Sequence, residues 1–279
     1  MPKTPSPPSK IIAYCHIGKV GGKRLQFYLR SHFGLSYRCV AHAKTRYYSS
    51  LELESDLSWN PFIKYLGGHS VRPHIDYGPL EDRLTWFSFF RDPLTRTLSH
   101  YYQQTQSPSF EPNGLLDWLA RYPNRAYWQV YMIAGENDLS KAKDIIRNKY
   151  SFVGLNEHYE QSLLLFAQKF GLKNFQFIDG TSLPKPEKST RYKEILQDFD
   201  MHRDEIRELL KDEIEFYDFV TKIYDQQCDQ YGRANLSEDL NKHFENTRPP
   251  NRYNFNNLVA STCERLFWRP KARLGRAFD

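Results

Sequence analysis

Apolar and polar positions divide the chain into short apolar runs separated by amphipathic stretches. Ile11-Ile12-Ala13-Tyr14-Cys15 is a compact apolar run opening on β-branched residues, the pattern of a buried strand. Beyond a glycine-rich loop, Leu25, Tyr28 and Leu29 recur at helical spacing. Trp86-Phe87-Ser88-Phe89-Phe90 is a second strongly apolar run, followed by a helical stripe at Leu94, Leu98 and Tyr102. Pro93 suits the first turn of that helix, where no N–H is needed. Between these units, Tyr37 to Val40 reads as a short strand and residues 45–60 as a polar surface helix or loop. Downstream, residues 114–122, 126–135 and 140–148 read as helices, and Phe152 to Leu155 as a strand. Asn156 is placed to cap a helix running to Phe170, with Leu163, Leu164 and Phe166 turned inward. Phe175 to Ile178 reads as a further strand, 180–193 as a Pro- and Lys-rich loop, and Arg203 to Gln230 as one long helix whose charges form a solvated face. Strands alternating with helices predict an α/β fold with a central, mainly parallel sheet flanked by helices.

Composition narrows the function classes. The 279 residues suffice for one large domain or two small ones. The pattern divides them into a disordered Pro- and Ser-rich tail over 1–9, a main domain over 10–235 and a C-terminal extension over 236–279 packed on or flanking it. No apolar run approaches the ~20 residues of a membrane span, and Met1 to Lys10 lacks the apolar centre of a signal peptide. The four cysteines are far apart with no CxxC pair, which argues against a zinc site or a disulfide framework. These features read as a cytoplasmic protein. The net charge is +6, and Met1 to Ser50 holds nine Lys or Arg and no Asp or Glu. Such a basic segment points to a polyanionic ligand. No nucleic-acid recognition motif accompanies it. The basic, aromatic stretch from Arg265 to Arg276 is a candidate for peripheral contact with a membrane or an anionic polymer.

The candidate chemistry lies where the apolar runs end. His16-Ile17-Gly18-Lys19-Val20-Gly21-Gly22-Lys23-Arg24 joins the first strand to the first helix. Glycines let backbone N–H groups approach an anion, and the helix N-terminus adds a favourable dipole. A nucleoside-triphosphate loop fails on detail. That motif needs four residues before its Gly-Lys pair and then Ser or Thr for magnesium, whereas three separate Gly18 from Gly22, and Arg24 stands where the hydroxyl belongs. A nucleotide kinase is thereby disfavoured, and an anion site working without a metal fits better. The second apolar run ends in Arg91-Asp92-Pro93, with Arg96 and Ser99 on the following turns. Ligands of open α/β sheets sit outside the carboxyl ends of the strands. Lys19 and Arg91 then mark two cationic sites at one sheet edge, suited to a ligand with two anionic ends.

Together these residues resemble the sulfotransferases that use 3′-phosphoadenosine 5′-phosphosulfate (PAPS), in the carbohydrate branch with heparan sulfate O-sulfotransferases and their bacterial relatives. His16-Ile17-Gly18-Lys19-Val20-Gly21-Gly22-Lys23 is similar to the loop that holds the 5′-phosphosulfate there, and Arg91-Asp92-Pro93-Leu94-Thr95-Arg96-Thr97-Leu98-Ser99 to the motif that holds the 3′-phosphate. Phe152 to Glu157, Lys188 to Arg191 and Glu215 to Asp218 resemble further segments of the family, over roughly residues 10 to 230 in all. The resemblance implies a P-loop-like sulfotransferase fold and transfer of a sulfuryl group from PAPS to a hydroxyl of a carbohydrate acceptor, leaving 3′-phosphoadenosine 5′-phosphate (PAP), with no metal. It implies that Gly18, Lys19, Val20, Gly21, Gly22, Lys23 and Arg24 bind the donor with Arg91, Ser99 and Arg191. Lys19 is the catalytic cation at the leaving oxygen. His69, in Gly67-Gly68-His69, is the general base. His74 is second in line for that role and His16 third, while His100 reads as structural. Arg72 is a candidate contact for an anionic acceptor. Val20 and Lys23 depart from the family, which has threonines there. That departure motivates an alternative, a non-catalytic relative that binds a nucleotide or polyanion.

Overall fold

The computed structural model describes residues 10–40, 47–107, 110–111, 113–172, 190–245, 258–260 and 262. The expected tail over 1–9, the expected strand over 175–178, the expected loop up to residue 189 and the basic stretch over 265–276 all lie outside these residues.

The described chain is α/β. Five strands, β1 (Ile11–Cys15), β2 (Tyr37–Cys39), β3 (Tyr65–Gly68), β4 (Leu84–Phe90) and β5 (Tyr150–Leu155), form one sheet in the order β2-β3-β1-β4-β5. Every pairing is parallel. The chain leaves β1 for β2 and β3 on one side and then crosses to β4 on the other. The topological switch point, where such sheets open a ligand crevice, is therefore the carboxyl end of β1. β3 was not anticipated, because Tyr65-Leu66-Gly67-Gly68 is short and half glycine. It is nonetheless buried throughout. A Cβ at Gly67 would stand 2.3 Å from the Tyr65 hydroxyl oxygen, so glycine here permits close packing.

The period of two along β4 distributes the helices. Phe87 packs on Phe166 at 4.6 Å, and Phe89 on Tyr159 at 5.6 Å, both from α7 (Tyr159–Lys169). One residue further, Phe90 meets Phe216 of α10 (Lys211–Tyr231) edge-on at 5.7 Å. α1 (Gly22–Phe33) follows β1, and α2 (Ser50–Trp59) starts in a capping box between Ser49 and Glu52. A second apolar cluster joins α3 (Pro93–Gln104), α4 (Leu115–Arg121), α8 (Thr190–Met201) and α9 (Arg203–Leu209) through Tyr101, Trp118, Phe199 and Ile206. α5 (Trp128–Ala134) and α6 (Leu139–Lys149) lead into β5.

Several boundaries differ from expectation. The helix expected from Arg203 to Gln230 is two, α9 and α10, parted at Leu210, whose buried side chain serves the second cluster. Residues 190–193, expected in a loop, open α8. α7 begins after His158 without a side-chain cap. Asn156 instead donates its N–H to Phe90 O at 2.8 Å, extending the sheet pairing by one residue. α11 (Arg233–Glu245) runs across the expected boundary at 235, and its Leu236 and Leu240 join the main core. Among the described residues no helix is long and apolar enough to cross a membrane.

Candidate active site

Three adjacent strands, β3, β1 and β4, deliver the candidate residues to one edge of the sheet. After β1 the chain turns sharply. Lys19 has φ 75°, the sole positive φ among described non-glycine residues, and Gly21 has φ 84° at the N-cap of α1. A left-handed lysine costs of order 1 kcal/mol, so the surroundings must hold it. Val20 does so on one side, with its side chain wholly buried in the main core. The isopropyl group thus anchors the loop, and donation to a ligand falls to backbone N–H groups. α1 begins with no side-chain cap and no acidic residue in its first turn, which leaves its positive end available to an anion. Gly22 packs under His16, where a Cβ would lie 1.9 Å from Nε2. Arg24 turns to α7, pairing with Glu160 at 3.1 Å and lying 4.5 Å over the Tyr159 ring. The Lys23 side chain lies outside the described atoms.

The end of β3 carries His69. Its Nδ1 lies 2.7 Å from His16 O. A carbonyl only accepts, so Nδ1 donates, and the neutral ring keeps its lone pair on Nε2. His69 is exposed as a residue, and its ring stacks on His16 at 4.2 Å. His16 is buried, and burial, with His69 beside it, lowers its pKa to about 3. His16 therefore stays neutral and orients its neighbour. Arg72 donates from Nε to His69 O at 2.6 Å and is buried between the rings of Tyr47 and Tyr131. His74 leaves the cluster: its Nδ1 donates to Ile133 O at 3.2 Å, and its ring packs against Gly135 at the end of α5. Burial lowers its pKa to about 4.

The end of β4 carries Arg91, whose Nη1 donates to Lys19 O at 3.2 Å. This bond ties the two predicted anion sites together. The Arg91 backbone is clamped by the Gln129 amide, which accepts from its N–H at 3.0 Å and donates to its O at 2.9 Å. Arg96 is fully buried on α3, with Nη2 donating to Thr97 Oγ1 and to Arg125 O, each at 3.0 Å. Burial lowers its pKa to about 10, and nearby Glu213 opposes that change. Ser99 sits half-buried two turns along α3. Arg191 is exposed in the first turn of α8, 3.4 Å from Glu194. Arg91 is thus bonded to the Lys19 carbonyl and His69 to the carbonyl of His16, three residues before Lys19 in the same loop, whereas Arg24 and Arg191 hold carboxylates and His74 bonds to Ile133 O.

Residues not anticipated from sequence complete the edge. Trp128 turns its indole Nε1 toward Gly18, where a Cβ would lie 3.8 Å away. The Arg125 guanidinium lies 4.4 Å over the Trp128 ring. Among the described residues nothing accepts from the buried Arg91 Nε, Arg96 Nε and Nη1, Arg125 Nε or Trp128 Nε1. Buried donors normally have acceptors, so this concentration suits an anionic ligand. The available sequence signal was slight: an Arg and a Trp three residues apart within an otherwise ordinary helical stretch. Among the described residues no three His, Cys, Asp or Glu side chains converge as metal ligands.

No protein-family model and no curated protein matches the chain. Among solved structures it is similar to a sulfotransferase from Alicyclobacillus acidocaldarius, at 16% identity and a TM-score of 0.38, over 74% of this chain and 96% of that one. A likeness of that size carries no argument about activity, which is argued below from the residues of the site.

Proposed function

We propose that this chain is a sulfotransferase that moves a sulfuryl group from PAPS to a hydroxyl of a carbohydrate. The observation that carries the reading is the placement of Lys19, Arg91 and His69 after the adjacent strands β1, β4 and β3, with Arg91 bonded to Lys19 O and His69 to His16 O of the same loop. It brings to one sheet edge a helix N-terminus without a side-chain cap, two cations and a histidine whose Nδ1 is engaged. The motif resemblance of the β1 and β4 loops supplies the donor's identity, and the orphan donors on Arg91, Arg96, Arg125 and Trp128 suit its anionic groups. A bound donor would supply a sulfuryl group on a stable leaving phosphate.

The chain's own residues then divide the work. Gly18 to Gly22 and the start of α1 hold the 5′-phosphosulfate through backbone N–H groups. Lys19 neutralises charge growing on the bridging oxygen. Arg91 and Ser99 hold the 3′-phosphate, the first as a charged planar fork. His69 Nε2 takes the proton of the acceptor hydroxyl as the new S–O bond forms and the bond to phosphate breaks. A protein tyrosine remains the other acceptor compatible with this chemistry.

The test is sulfate transfer from labelled PAPS across a panel of glycans and a tyrosine peptide. A base contributes about 10²- to 10⁴-fold. His69→Ala is expected to lose activity in that range while the protein still unfolds cooperatively, since the residue is exposed. Lys19→Ala is expected to be comparably impaired. PAP binding without turnover on any acceptor would favour the non-catalytic alternative, for which Val20 in place of a hydroxyl-bearing residue is the motive.

A further inference from the structure

Three consecutive residues, the last of β4 and the two that follow it in the Arg91 turn, are held, directly or through one intermediary, by a single helix. Phe90 packs on Phe216. Arg91 is clamped by Gln129, whose backbone N–H donates to Glu213 Oε1 and whose side-chain Nε2 lies 3.4 Å from Glu213 Oε2. The Asp92 N–H donates to Glu157 Oε1 at 3.0 Å, and Glu157 Oε2 accepts from the Tyr217 hydroxyl at 2.7 Å. Glu213, Phe216 and Tyr217 stand at i, i+3 and i+4 of α10, hence on one face. Gln129, Glu213 and Phe216 are wholly buried. Burial raises the Glu213 carboxyl to about 7, against the pull of Arg96. A carboxylate is costly at such a position unless paired and hydrogen-bonded, and here its contacts lead to Arg91.

We propose that α10 is the positioning helix of the Arg91 turn, with Glu213 and Tyr217 acting through Gln129 and Glu157 to aim the Arg91 guanidinium at its phosphate. The proposal rests on the assignment of Arg91 to the 3′-phosphate. Arg91 reaches its ligand from a loop, so any rotation of residues 91–92 displaces the guanidinium. With the N–H and O of Arg91 and the N–H of Asp92 all engaged, only side-chain torsions remain. Misplacements of about 1 Å are costly in such sites.

A double-mutant cycle tests this. PAP and AMP, which lacks the 3′-phosphate, are titrated calorimetrically into wild type, Tyr217→Phe, Glu157→Gln and Arg91→Ala, and into Tyr217→Phe combined with Arg91→Ala. A hydrogen bond to a charged group is worth about 10- to 150-fold at its own site, and acting on Arg91 through Glu157 it is expected to change affinity by about 5- to 10-fold. Tyr217→Phe is expected to raise the PAP Kd by that factor, to leave AMP binding unchanged, and to have no further effect once Arg91 is removed. Glu213→Gln, which keeps an acceptor for Gln129, is expected to retain more PAP affinity than Glu213→Ala. Full PAP affinity in both Tyr217→Phe and Glu157→Gln, or equal weakening with and without Arg91, overturns the proposal. A wild type that does not distinguish PAP from AMP contradicts the assignment of Arg91 itself, and the positioning role with it.

Discussion

Two imidazoles stacked at 4.2 Å have opposite environments, and the proposed function gives them opposite uses. His16 is buried over Gly22, while His69 is an exposed residue whose Nδ1 donates to the His16 carbonyl, which fixes its tautomer. A residue that looks catalytic by type is thus assigned by what surrounds it. His74 has surroundings of its own, half-buried with Nδ1 bonded to Ile133 O. Its folded pKa, about 4, lies below the unfolded value near 6.5. The folded state therefore binds fewer protons over that interval. The stability that the neutral ring contributes is fully present above pH ~6.5 and is lost as pH falls toward 4. Glu213, raised to about 7, works in the opposite sense over part of the range, so a difference between variants isolates the histidine. Wild type is expected to lose stability relative to His74→Gln between pH 7.5 and 5, as read by paired thermal melts. A gap that stays constant or widens in favour of wild type contradicts the assignment.

At the scale of elements, β5 is one of the two edge strands of the described sheet, and α10 completes its outer edge. Gln227 accepts from Val153 N–H at 3.1 Å and donates to Val153 O at 2.8 Å, as a neighbouring strand would. Gln227→Leu strands both groups and is expected to cost about 1–3 kcal/mol in denaturant unfolding; an unchanged midpoint would show that water replaces the amide without loss. The sequence pattern announces β1, β4, β5 and most helices because each carries a full apolar face. It misses β3, where glycines replace apolar side chains, and the break at Leu210, which one apolar residue gives no sign of. The loop after β1 and the Arg91 turn are legible as motifs. The Gln129–Glu213 and Glu157–Tyr217 links are not, since they join residues 84 and 60 positions apart, and a glutamate on a charged helix resembles its solvated neighbours.

At the scale of the molecule, a basic N-terminal segment and the switch point at β1 coincide. Residues 1–50 hold nine cations and no acids, and of these Lys19, Lys23 and Arg24 follow directly on the carboxyl end of β1, the end of the strand where α/β sheets bind ligands. On the proposed reading, Lys19 and Arg91, joined through the Lys19 carbonyl, hold the two anionic ends of one ligand. The most direct measurement is thermal melting with PAP, compared with AMP and with ATP plus magnesium. A ligand at a hundredfold excess over its Kd stabilises the native state by ~2.7 kcal/mol. PAP is expected to raise the melting temperature clearly, AMP to raise it less, and Arg91→Ala to remove the difference between them. No shift with PAP, or a shift only with ATP and magnesium, would contradict the assignment of this site to a PAPS-dependent transfer.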